Sequence, residues 1–212
     1  MTFPPRFFFT SDTHFGHQRA AEIRGYRGPD AVSRMNDDLI DAWNSVVGRG
    51  DTVYHLGDFA LGPKVEWPCI RARLNGTIVL VLGNHDLADQ HHNVEPVPHP
   101  RLVSAMLPDD RILPHDVVFW TLGIRDLDGG GICFHGAHVP PMADFDDGRG
   151  YVRPPSLPGF DIELCGHVHE RWATPSNNGR IPRSGSRVVN VGVDVWSAPV
   201  TPAQIMAEIH FA

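Results

Sequence analysis

The chain has 212 residues, 42% of them apolar and 20% charged, and a formal net charge of −7. That composition suits a soluble globular protein with one sizeable core, and residues 1–212 read as a single domain. No apolar run approaches the roughly 18 residues that a membrane-spanning helix needs, and the acidic balance disfavours binding nucleic acid through a basic surface.

Residues 1–14 carry no basic region followed by a small-residue cleavage site, so no signal peptide is read and a cytoplasmic location is expected. Residues 6–10, RFFFT, read as a buried strand. Residues 33–47 repeat apolar side chains at helical spacing through Leu39, Ile40, Trp43, Val46 and Val47. TVYHL at 52–56 is the next strand, 64–74 a short helix with Pro68 near its first turn, and 75–82 a turn leading into a fully buried strand. Strand and helix alternating in this way predict an α/β layered fold. The second half is richer in strands, at 117–122, 132–135, 161–165 and 187–193, the first two joined across the glycine-rich RDLDGGG. Thr201, Pro202 and Gln204 make a capping-box start to a closing helix. Residues 88–114 and 140–159, rich in Pro, Gly and Asp, read as loops. Cys69, Cys133 and Cys165 are far apart and odd in number, which argues against a disulfide framework. Cys133 and Cys165 read as small buried hydrophobes.

The chain has 13 histidines, and several fall in one pattern. RFFFT is followed by SDTHFGH, TVYHL by GDF, IVLVL by GNHD, GGGICF by HGAHVPP, and IELC by GHVH. Each polar word sits at the carboxyl end of a predicted strand, where α/β sheets bind ligands. Any one of them alone is a weak signal; their joint order is not. Two divalent cations roughly 3.5–4 Å apart need a bridging carboxylate and O and N donors on either side. Asp12 and His14, two residues apart at a strand end, can reach one metal. The same spacing recurs at His167 and His169. Gly57, Gly83 and Gly166 stand just before candidate donors, where backbone and metal must come close.

This order of motifs resembles the calcineurin-like metallophosphoesterase superfamily, over nearly the whole chain from Asp12 to about Trp196. SDTHFGH, VYHLGDF and VNVGVDVW look more like its small bacterial and phage members than like eukaryotic protein phosphatases. The resemblance implies a four-layer α/β/β/α sandwich of two mixed sheets. It implies a first metal on Asp12, His14 and His169, a second on Asn84, His138 and His167, and Asp58 bridging both. His85 would be the catalytic histidine, contacting a phosphate oxygen or protonating the leaving group. The histidine on the strand before GHVH is either His138 or His135; the Pro-restricted setting of His138 favours it. The cofactor expected is a pair of divalent ions, Mn²⁺ best suited, with Fe, Zn, Ni or Co also compatible.

The activity so implied is phosphoester hydrolysis by in-line attack of a hydroxide held between the metals. Protein phosphatases of the superfamily carry GDxxDRG, whereas this chain has GDFALG. That departure favours a phosphodiesterase acting on a small phosphoester or nucleotide. A nuclease, a phosphomonoesterase and a non-catalytic metal-binding scaffold are the alternatives. Asp86 is a weak candidate to orient His85. His55 reads as packing, His17 as a substrate contact or helix cap, and His91, His92, His99 and His115 as solvated loop residues. Trp43, Trp67 and Trp120 read as core anchors. Trp172, Trp196 and Arg171 read first as packing and surface residues.

Overall fold

The computed structural model describes residues 6–62, 67–88, 97–114, 116–125, 131–138, 161–169 and 187–211. The protein is α/β. Four strands, β1 (Phe7–Thr10), β2 (Thr52–His55), β3 (Thr77–Val81) and β4 (Arg111–Leu113), pair in that order, every neighbour parallel. A second sheet takes β5 (Asp116–Arg125), β6 (Gly131–Ala137), β7 (Ile162–Cys165) and β8 (Arg187–Asn190) in that order. It is mixed: β5 and β6 are antiparallel, as their glycine-rich connection predicts, and the remaining pairs are parallel. Among the described strands, then, only the second sheet is mixed.

Alternation along the strands builds two cores. Phe8, Val53, Ile78 and Leu80 face one side of the first sheet. There they meet Ile40, Trp43 and Val47 from α2 (Ala31–Val46) and its C-cap, Trp67 and Ile70 from α3 (Trp67–Arg73), and Leu102 from α4 (Pro100–Ala105). Phe9, Leu56 and Val81 face the other way and pack on Ile132, Phe134, Ile162, Leu164 and Val189 of the second sheet. Full burial of each such side chain contributes about 1.5–3 kcal/mol, so the stack helix–sheet–sheet is fixed by the period-2 pattern of the strands. The short helix α1 (Gln18–Ile23) joins α2 through Ala20, Ala21, Ala31 and Met35. Two more helices, α5 (Val193–Trp196) and α6 (Pro202–Phe211), close the chain, and Ile205 of α6 enters the inter-sheet core. The predicted capping box at its start is present: Gln204 N–H donates to Thr201 Oγ1, and Thr201 N–H donates to Gln204 Oε1.

Three expectations are corrected. Residues 88–114 are not all loop, since they contain α4 and β4. Both elements are too short to show a period, and α4 announces itself only by proline at its first turn. His99, expected in solvent, is the N-cap of α4; it is half-buried, its ring accepts from Arg101 N–H and lies against Trp67. The last strand stops at Asn190, and Val193 begins α5. The predicted loop at 140–159, together with His91, His92, His115, Arg171 and Trp172, lies outside the described residues.

The two sheets are stitched at the carboxyl ends of their strands. Ser11, just past β1, bridges Gly192, just past β8, and its carbonyl accepts Val193 N–H at 3.1 Å. That seam brings the ends of β1, β2, β3, β6 and β7 to one edge.

Candidate metal centre

Of the six non-glycine residues with positive φ among the described residues, five are Asp12, His14, Asp58, His167 and His169. Left-handed backbone costs an ordinary residue free energy and persists only where the surroundings dictate it. Here the ladder continues past the strands: Asp12 N–H donates to Gly57 O and His14 N–H to Asp58 O, both at 3.0 Å. The backbone must curl at alternate residues for both sets of side chains to turn inward. Gly57 (φ 93°) permits this because a Cβ there would lie 2.6 Å from both Gly83 N and His138 Nδ1. A Cβ at Gly166 would strike Ser11 Oγ and Asp12 Oδ2, and one at Gly83 would strike Asp58. The close approach that these glycines serve is between one site loop and the next.

The side chains converge in two groups. His14 Nε2 and His169 Nε2 are 3.0 Å apart, with Asp12 Oδ1 at 3.9 Å from the first and 3.8 Å from the second. In the second group His138 Nε2 is 3.1 Å from Asn84 Oδ1 and 3.1 Å from His167 Nδ1, and those two are 2.9 Å apart. Asp58 lies between the groups, its Oδ2 at 3.6 Å from His14 Nε2 and 3.4 Å from His138 Nε2. Its Oδ1 accepts His85 N–H at 2.8 Å. His85 Nε2 is 4.0 Å from Asp58 Oδ2, its ring meets that of His14 edge-on, and its side chain is 20% exposed. Asp12, His14, Asp58, Asn84 and His138 are buried, and His169 is open on one side.

This donor set fits divalent cations. Metal–N and metal–O bonds of about 2.0–2.2 Å put ligands at right angles about 3 Å apart; the closest donor pairs here are separated by 2.9–3.1 Å. Hydrogen bonding also aims lone pairs inward. His138 Nδ1–H donates to Leu56 O at 2.7 Å, and His169 Nδ1–H to Asp194 Oδ2 at 2.8 Å, leaving each Nε2 bare and directed at its group. Among the described residues, three sets of titratable donors could each hold an ion: Asp12, His14 and His169; His14, Asp58 and His85; Asp58, His138 and His167.

The charges are coupled. Burial opposes ionising Asp58, but His138, His14 and His85 around it hold its carboxyl well below the usual range. Burial likewise opposes protonating His138, while the facing Asp58 pushes it up to about 10. A proton and a cation thus compete for the same Nε2 lone pair. Burial drives His14 well below the ordinary histidine value, which keeps its lone pair available.

All eight residues picked from the sequence meet at this edge. His138, and not His135, enters the donor group; His135 is buried in β6, in register with Glu163 of β7. His17 is the N-cap of α1, half-buried, its ring 5.4 Å from that of His14 and 6.0 Å from that of His85. His55 is buried packing: it stacks on Trp43, bonds Thr13 Oγ1 and is held neutral by burial, its pKa lowered to about 3. Trp43 and Trp67 are core residues, and Trp196 packs on the inter-sheet core while donating to Asn190 O. Cys133 and Cys165 are buried free thiols. Sequence reasoning missed Arg24 and Asp194, whose ion pair at 2.8 Å touches the site from behind. Only the VGVDVW word hinted at Asp194, and nothing marked Arg24.

Fold and site together define an α/β protein with a buried histidine–aspartate cluster, able to hold metal ions, at the carboxyl edge of two stitched sheets. The chain is 30% identical over 199 residues to the gene 66 protein of Mycobacterium phage D29, covering 89% of this chain and 88% of that protein, and it belongs to that family. It is also 42% identical over 85 residues to the gene 66 protein of Mycobacterium phage L5, covering 37% of this chain and 39% of that protein. An uncharacterized protein of Methanocaldococcus jannaschii is likewise 42% identical over 85 residues, covering 38% of this chain and 47% of that one. No family model matches the chain. The crystal structure of a protein of unknown function from Aquifex aeolicus shares the fold, with a TM-score of 0.62 at 20% identity over 96% of this chain and 99% of that one.

Proposed function

We propose that the protein is a dinuclear metal-dependent phosphoester hydrolase of the metallophosphoesterase kind, with a preference for diesters. The observation that carries this reading is the position of Asp58, one carboxylate oxygen facing both donor groups at 3.4–3.6 Å. A carboxylate so placed suits a bridge between two ions, Asp12, His14 and His169 holding one and Asn84, His138 and His167 the other. The stack of helices on two sheets is compatible with the four-layer sandwich of that superfamily. When bound, two divalent cations would neutralise phosphate oxygens and lower the pKa of an attacking water.

The chain's own residues do the rest. Asp58 Oδ1, pinned by the His85 backbone N–H, keeps Oδ2 turned to both groups. His85, partly exposed beside Asp58, can reach a leaving-group oxygen from the solvent side and donate a proton to it. GDFALG supplies no Asp-Arg pair to back His85 as in the protein phosphatases, which leans the reading toward diesters. Imidazole, carboxylate and amide donors suit Mn²⁺, and Fe, Zn, Ni and Co are compatible. No described helix is long and apolar enough to cross a membrane; the substrate class proposed is a small phosphoester or nucleotide.

The test is a Mn²⁺-supplemented assay with a chromogenic aryl diester and the matching monoester. Faster diester hydrolysis supports the reading. A monoester preference makes the protein a phosphomonoesterase, and cleavage of DNA or RNA in preference to both makes it a nuclease. A chain that takes up Mn²⁺ and hydrolyses none of these is a metal-binding scaffold.

A further inference from the structure

Arg24, the C-cap of α1, belongs to none of the motifs, yet its guanidinium is almost fully committed. Nε donates to Asp194 Oδ1 at 2.8 Å and Nη2 to Asp194 Oδ2 at 3.2 Å, a bidentate pair. Nη2 also donates to Asp12 O at 2.6 Å and Nη1 to Thr13 O at 2.9 Å. The two charged side chains are only 12% and 14% exposed. The same Asp194 Oδ2 accepts Nδ1–H of His169 at 2.8 Å.

Each bond fixes one degree of freedom of the first donor group. An imidazole that donates from Nδ1 to a carboxylate must, when neutral, present Nε2 as a lone pair, and His169 Nε2 faces His14 Nε2 at 3.0 Å. The two carbonyls held by Arg24 belong to the segment in which Asp12 and His14 take φ of 58° and 48°. One guanidinium thereby ties the curl after β1 to α5, and through Asp194 to the loop after β7. The rings of the second donor group are oriented by other partners, His138 by Leu56 O and Asn84 and His167 by Asn84; a described link to the first group is the His167 backbone N–H, which donates to the Asp12 carboxylate.

We infer that Arg24 and Asp194 are the positioning residues of the Asp12, His14 and His169 pocket, setting the His169 tautomer and the curl that presents Asp12 and His14. This rests on the reading that the pocket takes a divalent cation. A planar five-donor group is required, because lysine offers one point charge and cannot cover a carboxylate and two carbonyls at once.

The experiment is Mn²⁺ titration of the full chain, with free Mn²⁺ followed by electron paramagnetic resonance, for wild type, D194A, D194N, R24K and R24Q. Long-range ¹H–¹⁵N correlation of the metal-free His169 ring runs in parallel. Wild type is expected to take up two Mn²⁺. D194A should weaken one site about 10–100-fold, the usual effect of losing a partner behind a ligand, and leave the other within about threefold. D194N, which keeps an acceptor oxygen, should lose less, and R24K should not rescue R24Q. The His169 spectrum should show Nδ1 protonated in wild type and a mixture of tautomers in D194A, a change that mere loosening of the fold would not produce. Two Mn²⁺ sites kept at wild-type affinity in D194A overturn this inference alone. A wild-type chain that takes up no Mn²⁺ overturns the metal reading and this inference with it. If the Arg24 variants lose the fold by circular dichroism, the two Asp194 variants still decide.

Discussion

The Asp86 carboxylate accepts the backbone N–H of Asp58 at 2.7 Å, although 28 residues separate them. It also accepts Phe59 N–H and Gly83 N–H, both at 2.9 Å, and is fully buried. Asp86 therefore fixes the turn that carries Asp58 and locks the GNHD loop to the GDF loop. Burial and the charge of Asp58 push its carboxyl up to about 7 against the pull of the Gly83 and Phe59 amides. Asp86→Ala strands three buried N–H donors at about 1–3 kcal/mol each, so a loss of about 3–5 kcal/mol in urea unfolding is expected, with lost Mn²⁺ uptake. Asp86→Asn, keeping one acceptor oxygen, should lose less. A loss below about 1 kcal/mol for the alanine variant would refute the clamp.

His135 and His138 stand three residues apart, and the structure separates them cleanly. His138 Nε2 lies among Asn84, His167 and Asp58, while His135 stands in β6 in register with Glu163 and is in none of the donor groups found among the described residues. His138→Ala is expected to remove one of two Mn²⁺ in an equilibrium titration. His135→Ala should keep both, while losing about 2–3 kcal/mol of stability for a buried side chain deleted. Equal metal loss from both variants contradicts the assignment.

Much of this arrangement was legible because β-strands write their burial in the sequence. Phe8 and Phe9 point to opposite cores, and IVLVL is buried on both faces, so each strand could be found and the polar word after it located at its carboxyl end. The His167/His169 spacing was less informative. Alternation along a strand would send both to one metal, but β7 ends at Cys165, before either residue, and they join different groups. Both histidines adopt left-handed backbone, which histidine favours several-fold over most residues, too slight a preference to mark the curl in advance. Arg24 was invisible for a different reason: its partners Asp12, Thr13 and Asp194 are up to 170 residues away, and a single arginine has no period. Elements such as α1 and β4, six and three residues long, are shorter than the window in which a pattern can be told from chance.

Asp58 and His85 should separate by readout. Asp58→Asn weakens a donor that faces both groups, and turnover of the diester is expected to fall by at least about 1,000-fold, about 4 kcal/mol at the transition state. His85→Ala should lower kcat by about 100-fold or more, the usual worth of a positioned proton donor, while both Mn²⁺ remain bound. An Asp58→Asn protein with full metal and wild-type rate would sink the bridging role. A His85→Ala protein that loses a metal ion would make His85 a ligand, as its place beside His14 and Asp58 also allows.

The opposite end of the first sheet carries stability instead. Arg71 and Asp110 form a bidentate pair at 2.7 Å with both side chains 1% exposed. Asp110 also accepts Ile78 N–H and Leu107 N–H, and Arg71 donates to Leu74 O and Gly76 O. The pair thus ties α3 to the start of β3 and to the turn before β4, at the amino ends of the strands. Removing one partner leaves a buried charge uncompensated, which costs about 3–5 kcal/mol. Asp110→Ala is accordingly expected to lose about that much in urea unfolding. The double variant Arg71→Met with Asp110→Leu should recover a substantial part, since it strands no charge. Because the site lies at the carboxyl ends, Mn²⁺ bound per folded molecule should stay at the wild-type value in both variants. A metal loss that tracks Asp110→Ala under conditions where the chain remains folded would show that the two ends of the sheet are coupled.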